Sequence, residues 1–154
     1  MVCYSGFSTS NYLRQPYNSE LSFNAGNGYG VYGWFKHDTT NNGSYRTLVY
    51  RNSVGSIATG FQVLLNPQGE LYYFIYGSST SMSCQDSVGS YDNLWHMFYA
   101  RTVNASSHQL WIDGLLRASS TTNIGNVTNT VAELHLGVYA GSASLTYAWA
   151  GGHM

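Results

Sequence analysis

Short segments in which apolar and polar residues alternate recur about every ten residues, separated by clusters of Gly, Asn, Ser and Asp. Alternation with a period of two is typical of strands that bury one face, and no segment shows the 3.6-residue period of an amphipathic helix. The pattern predicts strands at residues 11–14, 21–23, 29–37, 46–51, 60–66, 71–76, 82–84, 94–102, 109–112, 115–119, 133–137 and 145–149. Many short strands with regular turns indicate an all-β sandwich of two antiparallel sheets.

Two turns predict which strands pair. Residues 66–69, Asn-Pro-Gln-Gly, place Pro second and Gly fourth, as a type I turn prefers, so residues 60–66 and 71–76 should form a hairpin. Asp113-Gly114 lies between residues 109–112 and 115–119, and this dipeptide favours a two-residue hairpin turn. Neighbouring strands are therefore expected to be antiparallel.

The segment at residues 71–76 is apolar on both faces. Leu71, Tyr73 and Ile75 fall on one face, and the aromatic residues at 72, 74 and 76 fall on the other. One set should pack in the core, and the other is either an aromatic surface or is covered by loops. The residues expected in the core between the two sheets are Trp34, Phe61, Leu71, Phe74, Trp95, Leu110 and Leu136.

Composition limits the classes of partner. A chain of 154 residues is long enough for one domain with a two-layer core, and only 8% of its residues are charged. The six basic residues are scattered and the net charge is −1, so nucleic-acid binding is not expected. No apolar stretch approaches the roughly 20 residues of a membrane span. Cys3 and Cys84 are far apart in sequence, and buried free thiols are favoured over a disulfide.

A motif in the second half of the chain is more specific. Trp95-His96 is followed, fourteen residues after the His, by Leu-Trp-Ile-Asp-Gly at residues 110–114. This pair resembles the "WHxva" and "LYvDGxxv" elements of the laminin-G-like, concanavalin A-like lectin/glucanase superfamily. Weaker similarities in the same order lie at residues 11–23, 30–36, 60–72 and 134–137, so the resemblance covers nearly the whole chain. It implies a single jelly-roll β-sandwich domain over residues 1–154, with one sheet presenting a concave outer face, that acts by binding.

The resemblance also implies a last strand that this chain lacks. Relatives continue past a segment like residues 148–152, whereas here only His153 and Met154 follow. The closing strand lies elsewhere in a longer protein, the last two residues are an added tail, or a neighbouring subunit supplies the strand. Without it, residues 11–14 should lack a partner, and the chain is expected to associate. The alternative is that another local segment, such as residues 145–149, already closes the sheet.

Catalysis is not expected. Hydrolases of this superfamily carry Glu-x-Asp-x-x-Glu on one strand, and no two of the seven acidic residues here have that spacing. A cofactor is not expected either, except that relatives often hold calcium in a rim loop. Asp86, Asp92 and Asn93 are weak calcium candidates, because turn formation alone explains these residue types there.

Sugar binding would use aromatic rings with polar groups around them. The candidate ligand-binding residues are Tyr72, Tyr76, Tyr91, Tyr139, Tyr147 and Trp149. The alternative is that most of these rings are buried and only their hydroxyl groups reach water.

Low charge with many Tyr, Ser, Asn, Thr and Gly residues suits an exposed recognition or assembly module. The sequence therefore predicts a non-catalytic part of a virus or phage surface protein, located at the virion surface or outside cells. Expected partners are a glycan or other cell-surface ligand and further virion, capsid or self subunits. The alternatives are a carbohydrate-binding or adhesion domain of a secreted bacterial protein and a purely structural decoration unit.

Overall fold

The computed structural model describes residues 3–38, 43–52, 59–89, 92–128, 131–140 and 146–154. Within them the chain forms eleven strands and two short 3-10 helices, Ser19–Leu21 and Ala25–Asn27. The strands are β1 (Leu13–Gln15), β2 (Tyr29–His37), β3 (Arg46–Arg51), β4 (Gly60–Leu65), β5 (Leu71–Tyr76), β6 (Ser81–Gln85), β7 (Trp95–Asn104), β8 (Ser107–Ile112), β9 (Leu115–Ser120), β10 (Leu134–Leu136) and β11 (Gly152–His153). No helix of the described residues has the length and apolar character needed to cross a membrane.

The strands form two antiparallel sheets that pack face to face. One has six strands in the order β1-β10-β3-β4-β5-β6, and the other has five in the order β11-β2-β7-β8-β9. The core between them contains Leu71, Tyr73 and Ile75 of β5 together with inward residues of the facing sheet such as Phe98 and Leu110. The all-β sandwich expected from the alternation is therefore confirmed.

Both predicted hairpins form. The Gly69 N–H donates to the Asn66 carbonyl oxygen at 3.0 Å, which closes the turn between β4 and β5. Asp113 and Gly114 have φ values of 51° and 78°, the left-handed conformation that a two-residue turn of this kind requires, and Ile112 pairs with Leu115 across it.

The prediction of a strand at residues 21–23 is wrong. Ser19–Leu21 is a 3-10 helix, because the Asn18 side chain accepts a hydrogen bond from the Glu20 N–H and caps its first turn. Of the segment predicted at 145–149, residue 145 lies outside the described residues and the remainder is not a regular strand. Thr146 there forms an isolated bridge with Tyr139.

Four of the seven residues expected in the core differ from the prediction, to different degrees. Trp34 and Trp95 are 50% and 37% exposed, since both point to the outer face of the five-stranded sheet. Phe74 is half-buried on the outer face of the six-stranded sheet, and half-buried Leu136 packs against the edge of the core. The alternation places Phe35, beside Trp34, and Tyr73 and Ile75, beside Phe74, in the core instead. The other expected core residues are buried: Phe61, Leu71 and Leu110.

Residues near the two chain ends pair with each other. Ser5 bridges His153, and the backbones of Tyr4 and Met154 exchange hydrogen bonds of 2.9 and 3.0 Å. The expectation that residues 11–14 lack a partner is wrong, because Leu13–Gln15 pairs with Leu134–Leu136.

The two cysteines are free and lie in different surroundings. Cys84 is buried on β6, as expected, whereas Cys3 is exposed. Burial raises the pKa of the Cys84 thiol to about 11, so this side chain stays protonated at physiological pH.

Candidate functional site

Aromatic residues and one glutamine form a row across the outer face of the six-stranded sheet. The strand register places His135, Tyr50, Gln62 and Phe74 side by side across β10, β3, β4 and β5. Residues directly opposite each other on paired strands share a face of the sheet. On β5 the side that faces the core is occupied by Leu71, Tyr73 and Ile75. The row therefore lies on the opposite, outer side of the sheet.

Three aromatic rings on β5 form a ladder along this face. The Tyr72 and Phe74 rings stack with centroids 5.3 Å apart and an interplanar angle of 9°. The Phe74 and Tyr76 rings follow at 6.3 Å and 15°. All three are half-buried, so the second apolar set of this strand forms an aromatic surface that neighbouring segments cover only in part.

Tyr139, Thr146 and Tyr147 form a wall beside the ladder. Tyr139 and Thr146 exchange backbone hydrogen bonds of 2.9 and 3.0 Å, and the Thr47 N–H of β3 donates to the Tyr147 carbonyl oxygen at 2.9 Å. These bonds hold the Tyr139 ring 4.8 Å from Tyr50 and 5.5 Å from Tyr147. The wall is thereby fixed to the sheet by both backbone and ring contacts.

The ladder and the wall enclose an open cavity of about 180 Å³, which we call the aromatic cleft. The described residues that line it are Tyr45, Gln62, Leu64, Phe74, Tyr76, Tyr139 and Tyr147. Pockets that enclose drug-sized ligands measure roughly 300–1,000 Å³. The aromatic cleft is smaller than that range, so its size suits a single sugar ring or the end of a chain rather than a long segment.

Gln62 contributes a buried acceptor to the cleft. Its side chain is only 5% exposed, and its Oε1 atom has no hydrogen-bond partner among the described residues. Leaving a buried polar group unpaired costs on the order of 1–3 kcal/mol.

Two tyrosine hydroxyl groups at the cleft, those of Tyr50 and Tyr76, are neutral at physiological pH. Burial, with a further contribution from the neighbouring Tyr139, raises the pKa of Tyr76 to about 12. Burial likewise raises the pKa of Tyr50, with Tyr139 and Tyr76 adding to the effect. These phenols therefore keep their protons and can donate as well as accept hydrogen bonds.

The structure brings together most of the sequence candidates. Tyr76, Tyr139 and Tyr147 line the cleft, and Tyr72 continues its aromatic ladder. Tyr91 lies outside the described residues.

The prediction that Trp149 is a surface residue available to a ligand is wrong. Its side chain is fully buried and meets Phe35 and His37 edge-on, with ring centroids 5.9 and 5.0 Å apart. The indole is part of the core and is not available as a platform for a sugar.

Sequence reasoning missed Gln62 and Tyr45 as cleft residues. Gln62 is the one polar residue in the apolar run Gly-Phe-Gln-Val-Leu-Leu of β4. A polar side chain in a strand that is otherwise apolar is a usable signal, because it must find a partner or face an opening.

The three calcium candidates are engaged in turns. The Asp86 carboxylate accepts from the Val88 N–H at 3.2 Å, and the Asp92 carboxylate accepts from the Leu94 N–H at 2.9 Å. Asn93 adopts a φ of 61°, and its N–H donates to the His37 carbonyl oxygen. Turn formation thus accounts for all three, and calcium binding there stays a prediction.

The Trp-His and Asp-Gly motifs meet in one ionic cluster. His96 Nδ1 lies 2.7 Å from Asp113 Oδ2, and His96 Nε2 lies 2.9 Å from Asp92 Oδ1. The other Asp113 oxygen accepts from the Met97 N–H at 2.9 Å. The cluster joins β7 to the turn between β8 and β9, so these motif residues have a structural role.

Comparison with solved structures places this architecture in the laminin-G-like, concanavalin A-like β-sandwich fold. The sialidase module CBM40 of Ruminococcus gnavus, solved with alpha2,3-sialyllactose, matches 83% of this chain and 73% of its own length at a TM-score of 0.67 and 12% identity. Mouse laminin alpha1 domains LG4-5 match 92% of this chain and 37% of theirs, at 0.63 and 12%. The resemblance expected from the sequence is confirmed at the level of the fold.

The binding domain of Paraclostridial Mosquitocidal Protein 1 is a further structural neighbour, at a TM-score of 0.65 and 14% identity. The match covers 79% of this chain, which spans about a third of that binding domain, 32%. No family model matches the sequence, and comparison with curated proteins gives no match.

Proposed function

We propose that this domain is a non-catalytic glycan-binding module and that the aromatic cleft is its binding site. The observation that carries the proposal is an open cleft lined by tyrosine and phenylalanine rings together with the amide side chain of Gln62. Sugar rings present apolar C–H faces, which pack on aromatic rings, and hydroxyl groups, which donate to buried acceptors.

The structural neighbours support the same class of function. One was solved with alpha2,3-sialyllactose, and another is the binding domain of a mosquitocidal protein. Their identity to this chain is 12% and 14%, so they support the fold and the plausibility of a binding role, and the proposed site rests on the cleft.

The setting of the domain is a finer proposal. We place it outside cells, as a carbohydrate-binding domain of a secreted protein or as a part of a virus or phage surface. The low charge supports an exposed setting, and the two neighbours above support the secreted alternative. Attachment to virion, capsid or self subunits stays a prediction from composition.

The test is a binding measurement on a pair of tyrosine variants. Tyr147 lies in the cleft wall and is 47% exposed, whereas Tyr32 is 75% exposed on the outer face of the opposite sheet. We expect Tyr147→Ala to weaken binding of the strongest ligand on a glycan array by about tenfold, since one aromatic contact is worth about 0.5–1.5 kcal/mol.

Tyr32→Ala is the matched control, because it removes the same side chain from a different surface. It should leave the affinity unchanged while both variants melt close to the parent chain. Equal loss in both variants, or loss only in Tyr32→Ala, would move the binding site away from the aromatic cleft. Absence of any array signal would refute glycan binding.

A further inference from the structure

We infer that the aromatic cleft selects neutral sugar residues and rejects anionic ones, because the described residues that line it carry no charge, with the Gln62 amide as its polar contact. This inference rests on the proposed glycan-binding function and names the chemical class of its ligand. It separates this domain from its structural neighbour that was solved with the acidic glycan sialyllactose.

The described residues that line the cleft carry no charge. The described residues around the cleft are four tyrosines, a phenylalanine, a leucine and a glutamine, all of them neutral. The faces of aromatic rings carry partial negative charge, and so does the Gln62 carbonyl oxygen. A carboxylate or sulfate placed here would lose its hydration and find no cation among the described lining residues, whereas a neutral hydroxyl group has no charge to desolvate.

The Glu70 carboxylate places a negative charge beside the aromatic ladder. Glu70 acts on Tyr72, whose pKa is raised chiefly by burial and in part by this carboxylate. Glu70 is held by the side chains of Asn66 and Gln85 at 2.6 and 2.8 Å. An acidic group fixed at this end of the ladder repels anionic ligands that approach along it.

A cation, Arg14, lies at the other side of this outer face of the six-stranded sheet. Arg14 lies in register with His135, the direct neighbour of Tyr50 across β10 and β3. The Arg14 guanidinium is 3.3 Å from the Glu133 carboxylate, so its charge is already paired. A ligand carboxylate would have to compete with Glu133 for it.

The test uses an array in which each neutral glycan stands beside its counterpart carrying sialic acid, a uronic acid or sulfate on the terminal residue. We expect the neutral member of each bound pair to give at least about tenfold more signal. Equal or stronger binding of the acidic members would overturn the inference and leave the proposed function standing. Binding of no glycan at all would overturn both.

Salt dependence supplies a second measurement. The affinity for the strongest neutral glycan should stay within about twofold between roughly 0.05 and 0.5 M NaCl, because screening acts only on charge pairs. A steep loss of affinity with salt would show that a charged group recognises the ligand, against the inference.

The variant Gln62→Leu tests the role of the amide oxygen. It should weaken neutral-glycan binding by about tenfold without lowering the melting temperature, because in the free protein it removes an acceptor that has no partner. A variant that binds as well as the parent would overturn the role of Gln62. Gln68→Leu makes the same replacement at an exposed turn residue outside the cleft and is the matched control, which should bind normally.

Discussion

Trp34 and Phe35 are neighbours on β2 that point to opposite sides of the five-stranded sheet. Phe35 is fully buried and meets Phe98 and Trp149 in the core, whereas Trp34 is half exposed on the outer face. Successive side chains of a strand alternate between its faces, so only one of the two residues can pack between the sheets. Size and hydrophobicity alone favour the tryptophan, but strand phase places the phenylalanine inside.

This difference predicts unequal costs for two adjacent substitutions. Phe35→Ala should lower the free energy of unfolding by about 3–5 kcal/mol, the range for a buried large aromatic side chain. Trp34→Ala should cost about 1 kcal/mol or less, as is usual for a surface position. Urea unfolding of the two variants measures both values, and a larger cost for Trp34→Ala would show that the strand phase is reversed.

Which residues of a strand face the core could be predicted from the sequence at some positions and not at others. Leu71 and Phe74 are three residues apart on one strand, so alternation alone shows that both cannot face the core, and the structure places only Leu71 there. The bulge between Thr47 and Val49 breaks the rule on β3, where the adjacent residues Leu48 and Val49 are both core residues. Such an irregularity depends on the partner strand, and the local pattern does not contain it.

At the scale of single elements, the strands and hairpins were the most predictable features. The ranges 29–37, 46–51 and 71–76 agree with the structure residue for residue, because alternation and turn residues are local signals. The segment at 21–23 failed because a side-chain cap at Asn18 stabilises a short 3-10 helix instead. Two apolar residues flanking a serine carry too little periodicity to distinguish the two outcomes.

The ionic cluster of His96 gives the β7–β8–β9 hairpins a pH-dependent stability. Burial alone lowers the pKa of His96, but its hydrogen bonds to Asp113 and Asp92 outweigh burial and raise the pKa above the ordinary value. The folded state therefore binds this proton more tightly than the unfolded state. The stabilisation is fully present below about pH 6.5 and is lost as the pH rises through the raised pKa.

We therefore expect the free-energy difference between the parent chain and His96→Gln to shrink as the pH rises from about 6 to about 9. The comparison is needed because burial lowers the pKa of His37, His108 and His135, and these groups favour the fold at higher pH. Subtracting the two pH profiles cancels their contribution. A difference that is constant, or that grows with pH, would contradict the protonated cluster.

At the scale of the whole molecule, the aromatic cleft depends on sheet order. Its residues come from β4, β5, Tyr45 just before β3, and Tyr139 and Tyr147, which are far apart in the sequence. They meet because β10, β3, β4 and β5 are adjacent in the six-stranded sheet. The alternation predicts aromatic residues on an outer face, but not which strands lie beside one another, so Tyr76 and Tyr139 could be named but not placed together.

Closure of the five-stranded sheet also depends on residues distant in sequence. Gly152 of the edge strand β11 pairs with His37 of β2, and the same short segment bridges the chain near Tyr4. A methyl group on Gly152 would lie 2.7 Å from the Lys36 carbonyl oxygen and 2.5 Å from the Trp149 indole nitrogen. Neither group can move freely, because one is strand backbone and the other is in the core.

Gly152→Ala should therefore displace β11 from the sheet. We expect a loss of about 1–3 kcal/mol of stability, typical of overpacking, and fast amide exchange at both Tyr4 and Met154. An exposed β2 edge should also make the variant associate in sedimentation as its concentration rises. Gly26→Ala, where the added methyl group would meet only the Asn24 side chain at 3.2 Å, is the control. Unchanged exchange at Tyr4 and Met154 in Gly152→Ala would show that the pairing of the two chain ends does not depend on this strand.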